Sequence, residues 1–253
     1  THFHAFSPAN YNNRYEGLLR ARDALVLSAN VPAVRLLAEV GVFDFYAALK
    51  SAGLSTLFRS SGDYGLTIVL GGAEVTLWDL AGLYRGIGRG GVFEPLHVVS
   101  GKRPDSHRLL TPGSAYFVAD ILKDVQRPGA EHYWQNYAGG RPIAWKTGTS
   151  YGQRDGWAVG MTPRFVIAVW AGDFRGFGNP NITGTATAAP LLFDLFAAVA
   201  GERDAWFEAA PGDLVSLPVC RDSGYLAGEH CPHVVSVLAP KGARPLARCP
   251  FHV

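Results

Sequence analysis

Apolar residues recur at helical spacing through the first half of the chain. Tyr15 to Leu27 carries the first such repeat, and Val31 to Leu37 continues it as a second helix that Pro32 opens at its first turn. Phe43 to Leu49 predicts a short amphipathic helix, stopped by Ser51-Ala52-Gly53. Leu77 to Ile87 predicts another, begun at Thr76 and ended by Gly88, Gly90 and Gly91. Ser114 to Val125 follows, behind Pro112 and Gly113 and closed by Pro128 and Gly129.

At Gly139-Gly140 the period changes. Pro142 to Trp145, Gly156 to Gly160 and Phe165 to Ala171 are short strand-like runs set apart by Gly, Pro and Asp. Met161-Thr162-Pro163-Arg164 joins the last two closely enough for an antiparallel hairpin. Thr185 to Ala200 is apolar and long enough to cover a sheet face as a helix. The expected domain is therefore residues 1–210. In residues 211–253 the repeat fades into prolines and cysteines, which predicts a linker or a small stapled appendage.

Composition narrows the class. The 253 residues are 48% hydrophobic and 17% charged, which suits a packed core. A net charge of +2 gives no basic field for nucleic acid. No apolar run is long enough to cross a bilayer, so any membrane anchor is expected outside these residues. The sequence opens on Thr1 with no signal-peptide pattern, as expected of an internal piece of a longer polypeptide. The three cysteines, Cys220, Cys231 and Cys249, all fall in the tail, a distribution common outside the cytoplasm.

Two motifs bear chemistry. Ser28-Ala29-Asn30 sits between the first two expected helices, where a hydroxyl and an amide can project from a turn. Lys146-Thr147-Gly148-Thr149 closes a strand, with a glycine that admits a ligand close to the backbone. Taken singly, the first reads equally well as an Asx turn or helix cap, and the second as an ordinary exposed strand end. Together and in this order they resemble two of the three motifs S-x-x-K, S-D-N and K-T-G of the penicillin-binding serine acyl-transfer enzymes. Ser28-Ala29-Asn30-Val31-Pro32-Ala33-Val34, Leu70-Gly71-Gly72-Ala73-Glu74-Val75-Thr76 and the run from Lys146 to Gly160 are similar to stretches of the bifunctional peptidoglycan synthases. Ser150-Tyr151-Gly152 and the cysteine-bearing tail resemble the 1C branch of that family, and the likeness covers residues 5–252.

The resemblance implies an α+β fold: an antiparallel sheet of the five-stranded β-lactamase/transpeptidase type, represented here by its last three strands, against a mainly helical lobe. It implies DD-transpeptidation, serine acyl transfer from D-Ala-D-Ala stem peptides, with β-lactams as inhibitors and no cofactor. The partners it implies are stem peptides and a lipid-linked precursor. A glycosyltransferase domain and membrane anchor are expected upstream, on the periplasmic face of the bacterial inner membrane. In these terms Ser28 relays a proton to the leaving amine and Asn30 binds the substrate's amide carbonyl. Lys146 stands beside Ser28 and attracts the terminal carboxylate, which Thr147 and Thr149 hold. Gly148 allows the close approach, and the Thr149 N–H donates to the oxyanion.

One motif is missing. The residues three positions before Lys50, Lys102, Lys123, Lys146 and Lys241 are Ala47, Val99, Asp120, Ile143 and Leu238, so no S-x-x-K occurs. The family order puts that motif before Thr1, which predicts that this chain alone is inactive. Rival readings are a non-catalytic stem-peptide-binding or scaffold module, and a DD-carboxypeptidase or β-lactamase; the last lacks an E-x-x-L-N pattern here.

Asp155 is expected to hold the turn after K-T-G-T, and Trp157 to fill core. Direct substrate roles for Tyr151 and Arg154 are weaker readings. The eight histidines form no H-E-x-x-H pattern, and His2 and His4 are expected to be exposed. Cys220, Cys231, Cys249 and His252 could supply four zinc ligands, but their spacing lacks a C-x-x-C pair. A Cys220–Cys231 disulfide with Cys249 unpaired, and free thiols, are the alternatives.

Overall fold

The structure, a computed structural model, describes residues 6–11, 13–99, 101, 105–129, 140–199, 205–209, 211–242 and 247–252. His2, His4 and Gly139 lie outside them.

Helices α1 (Ala21–Val26), α2 (Asn30–Val40), α3 (Val42–Ser51) and α4 (Ser61–Tyr64) lead through a 3₁₀ turn, Gly65–Leu70, to α5 (Leu77–Gly88). The expected start of the first helix at Tyr15 is corrected to Ala21. Gly17 has φ +71°, a left-handed conformation that cannot continue a right-handed helix. The reading of α5 holds at its start, where the Thr76 hydroxyl accepts from the Asp79 N–H at 3.0 Å. Leu37, Leu54, Leu57, Tyr64 and Ile68 form the core of this helical lobe. The glycines of the 70–76 stretch shape a turn: Gly71 takes φ +92°, and Glu74 beyond it accepts from the Tyr64 hydroxyl at 2.9 Å.

Two short strands, β1 (Val92–Phe93) and β2 (His107–Arg108), pair antiparallel before α6 (Pro112–Leu122). Pro112 and Gly113 lie inside the first turn of α6, and Thr111 caps it by accepting from the Ser114 N–H. A three-stranded antiparallel sheet follows in the order β3 (Ala144–Thr149), β4 (Asp155–Met161), β5 (Val166–Gly172). The expected β4–β5 hairpin forms, its turn closed by the Thr162 N–H on the Phe165 carbonyl at 2.8 Å.

Alternation along β4 shows how the sheet is covered. A Cβ on Gly160 would meet Phe196 and Leu192 of α7 (Ala189–Val199), whereas Met161 reaches back to Gly88 at the end of α5. The two helices thus take opposite faces. The run expected as one helix from Thr185 begins instead as a π turn, Gly184–Ala188, before α7. Pro190 has no N–H to give an α-helical ladder, and the wider turn precedes it. Trp145, 1% exposed, is the core tryptophan: its indole donates to the Val125 carbonyl at 3.0 Å and meets Phe193 edge-on at 4.8 Å. Trp157 is instead half-buried, beside Trp170 on β5. No helix among the described residues is long and apolar enough to cross a membrane.

The tail is more regular than its sequence suggests. Strands β6 (Leu214–Cys220) and β7 (Val234–Pro240) form an antiparallel hairpin. Alternation was obscured by Pro218 within β6 and by a β7 whose first five residues are all exposed. The Gly113 N–H donates to Asp213, which docks this hairpin at the start of α6.

Candidate functional site

Strand β3 carries K-T-G-T at its exit and, among the described residues, pairs with β4 alone and leaves its other edge open. The register sets Lys146 opposite Val159, Thr147 opposite Ala158 and Thr149 opposite Gly156. Side chains alternate, so Lys146 and Gly148 take one face and Thr147 and Thr149 the other. A ligand gripped by both sets must lie along the open edge.

The Thr face is braced by the π turn. The Gly184 N–H donates to Thr149 Oγ1 at 3.0 Å, using an acceptor lone pair of the hydroxyl and leaving its proton for a ligand. The approach is close: a Cβ on Gly184 would stand 2.5 Å from the carbonyl oxygens of Gly148 and Trp157. Thr183 caps the π turn by accepting from the Ala186 N–H at 3.1 Å. Sequence reading missed Gly184 as a support; its only signal was Thr183-Gly184 just ahead of an apolar run.

Lys146 is partly buried, and its ammonium donates to the Thr147 carbonyl at 3.1 Å. The expectation of an ordinary exposed strand-end lysine is therefore corrected. Burial holds its pKa below the ordinary 10.5, because removing water disfavours the charged form. A lysine so tuned exchanges a proton more readily near neutral pH.

Ser28 and Asn30 lie at the junction of α1 and α2. Neither caps a helix: Ala29 occupies the N-cap position of α2, without any side-chain cap bond. Ser28 is exposed with φ +56°, a conformation that costs a residue with a Cβ about 1–2 kcal/mol. The Asn30 amide donates to the Ala9 carbonyl at 2.9 Å, and Asn10 accepts from the Val31 N–H at 3.1 Å. Asn30 thus already binds a peptide carbonyl. The turn is set against the sheet through α1, where Leu25 packs on the main core. Arg22 pairs with both Asp120 and Asp124 at the end of α6. No hydrogen bond joins Ser28 to Lys146 among the described residues.

The loop after K-T-G-T closes through Ser150, whose hydroxyl and carbonyl accept from the Asp155 and Gln153 N–H groups. The Asp155 carboxylate does not hold this turn as expected; it accepts from Trp170 Nε1 at 2.9 Å across the sheet. Tyr151 is 96% exposed and Arg154 is exposed. An open concavity of about 690 Å³ lies beside this hairpin, between Gly172 and Ile182, and does not include Lys146.

In the tail, the three cysteines are free thiols, so the Cys220–Cys231 disulfide is not formed. Their sulfurs and a ring nitrogen of His252 converge instead, all within 4.8 Å of one another.

Comparison with known proteins agrees with the fold. The description of the penicillin binding protein transpeptidase domain matches residues 2–174. The chain belongs to this family. Penicillin-binding protein 1C of Escherichia coli K12 is 35% identical over 189 residues, which span 74% of this chain and 24% of that protein. Penicillin-binding protein 1F of Bacillus subtilis 168 is 28% identical over 213 residues, 78% of this chain and 29% of that protein. The chain thus spans less than a third of these relatives. Penicillin-binding protein 1A from Haemophilus influenzae superposes with a TM-score of 0.74 at 18% identity, covering 96% of this chain and 43% of that one. The D,D-transpeptidase domain of a peptidoglycan glycosyltransferase from Eggerthella lenta gives 0.55 at 21% identity, over 75% and 56%. These structures share the fold: helices with an antiparallel sheet.

Proposed function

We propose that the chain forms the back wall and one side of the active cleft of a peptidoglycan DD-transpeptidase, whose nucleophilic serine comes from a segment before Thr1. The observation that carries this reading is the braced K-T-G-T strand: a partly buried Lys146 on one face, a Thr149 hydroxyl oriented by Gly184 on the other, and an open edge between.

An extended stem peptide suits that edge, because free backbone groups of an edge strand pair with an added strand. Thr147 and Thr149 donate to its terminal carboxylate, and Lys146 adds the opposite charge. The Thr149 N–H donates to the oxyanion that develops as the serine attacks. Asn30, which holds the Ala9 carbonyl here, takes the substrate's amide carbonyl instead. Ser28 then passes a proton to the departing D-alanine amine, and Lys146 favours that transfer by its lowered basicity. A β-lactam offers the same carboxylate and a strained amide, so it occupies the same groups. No cofactor is needed. The setting is the outer face of the bacterial inner membrane, with an upstream glycosyltransferase domain and anchor and a lipid-linked precursor as partner.

A second reading rests on one observation, the lack of S-x-x-K in these 253 residues. If no serine enters the cleft from elsewhere, the same edge makes a stem-peptide-binding module. The longer protein supplied with a D-Ala-D-Ala stem peptide separates the two. Release of D-alanine, falling roughly 100-fold or more on Lys146→Ala, supports the enzyme. Binding without release supports the module.

A further inference from the structure

The tail joins residues from three places. Cys220 ends β6, Cys231 closes a tight turn whose N–H bonds the Gly228 carbonyl at 3.2 Å, and Cys249 and His252 lie near the end of the chain. Leu226 bridges both Val219 and Arg248, which draws the last segment against β6. Cys220 Sγ and Cys249 Sγ are each 3.4 Å from His252 Nδ1. A tetrahedral zinc with Zn–S near 2.3 Å and Zn–N near 2.0–2.1 Å sets its ligand atoms about 3.5–3.8 Å apart. The cluster has that scale.

The groups around the sulfurs are those a thiolate needs. The Gly228 N–H donates to Cys231 Sγ at 3.2 Å. Ser223 Oγ, in a buried residue, lies 3.2 Å from Cys249 Sγ. Such donors stabilise a thiolate and have little use for a neutral thiol.

The packing also calls for a staple. A unit of about 40 residues rarely holds itself together by apolar burial alone. The large side chains of β7, Val234, Val235, Val237 and Leu238, face outward. The best-buried groups of the tail, Val219, Cys220 and Cys249, lie at the cluster itself.

We propose that Cys220, Cys231, Cys249 and His252 bind one zinc ion that folds the tail. Three thiolates and a neutral imidazole complete a tetrahedron, with the thiol protons released to solvent as the metal enters. With all four positions filled by protein, the site has no place for substrate water, so the zinc is structural. The proposal is independent of the reaction on β3.

The test uses the longer protein, purified without chelator. Metal analysis is expected to give one zinc per chain. Cobalt exchanged for the zinc is expected to show sulfur-to-metal charge transfer and the intense visible bands of a tetrahedral thiolate site. His252→Ala and Cys231→Ser are expected to lower zinc affinity by more than about tenfold, and Ser223→Ala by roughly tenfold through the Cys249 sulfur. The cobalt spectrum of the unaltered protein stands even if a variant fails to fold. A metal-free protein that takes up no cobalt overturns the proposal, whether its thiols all react freely or two are joined in a disulfide. A cobalt spectrum without thiolate bands overturns it equally.

Discussion

Replacing Gly184 with alanine probes the brace behind K-T-G-T directly. The new Cβ would lie 2.5 Å from the carbonyl oxygens of Gly148 and Trp157 and 2.9 Å from Thr147 Cβ. Carbon–oxygen contacts this short must lengthen by on the order of 1 Å to reach ordinary packing distance. Both oxygens belong to paired strands and cannot swing aside, so the π turn must lift away. That motion stretches the 3.0 Å bond from the Gly184 N–H to Thr149 Oγ1. Overpacking costs about 1–3 kcal/mol and the lost hydrogen bond about 0.5–1.5 kcal/mol, so a destabilisation of about 1.5–4.5 kcal/mol is expected. A displacement of that size at the substrate-binding strand is expected to slow acylation by roughly 100-fold. Gly62→Ala is the control: its Cβ meets nothing nearer than Ser60 Oγ at 3.8 Å, within a helix that favours alanine by about 0.5–1 kcal/mol. Urea unfolding followed by tryptophan fluorescence, with stopped-flow acylation by a fluorescent penicillin in the longer protein, reads both effects. If Gly184→Ala matches the parent in midpoint and in acylation rate, the brace has no role and the reasoning fails.

Trp145→Ala removes the largest fully buried side chain and its bond to Val125, and is expected to cost about 3–5 kcal/mol by urea unfolding. At Ser28, with φ +56°, glycine is expected to be more stable than alanine by about 1 kcal/mol, while both, lacking the hydroxyl, slow acylation alike. Lys146 gives a pH test. Its folded pKa lies below the unfolded 10.5, so at low pH both states hold the proton and the burial penalty is present in full. Between the folded value and 10.5 the unfolded chain alone keeps the proton, so stability rises with pH. Lys146→Met is expected to be the more stable near neutral pH, with the gap narrowing towards pH 10.5; a constant gap across unfolding curves contradicts the burial argument.

Much of this was legible because the deciding interactions are local. Thr76 and Thr111 bond N–H groups three residues on, and the β4–β5 turn closes on Thr162 within four residues. The two motifs stood out because their residue types were unusual together. What escaped the sequence depends on distance. Gly184 braces Thr149 from 35 positions away, and Arg22 reaches α6 across about 100 residues. No periodicity encodes such pairs. The tail hairpin was hidden because its strand faces outward, so burial imposes no alternation. Its cysteines and His252 meet only once Leu226 has drawn the last segment against β6.

In the proposed reaction, Ser28, Asn30 and Lys146–Thr149 serve a serine carried upstream of Thr1. Intact-mass spectrometry with peptide mapping after incubation with a penicillin tests it most directly, on the longer protein and on this 253-residue chain, each shown to be folded by circular dichroism. One acyl group is expected on the longer protein, on a serine preceding Thr1 with lysine three residues on, and none on the shorter chain. An acyl group mapped to Ser28 or Ser150 of the shorter chain, or a folded longer protein that takes none, contradicts it.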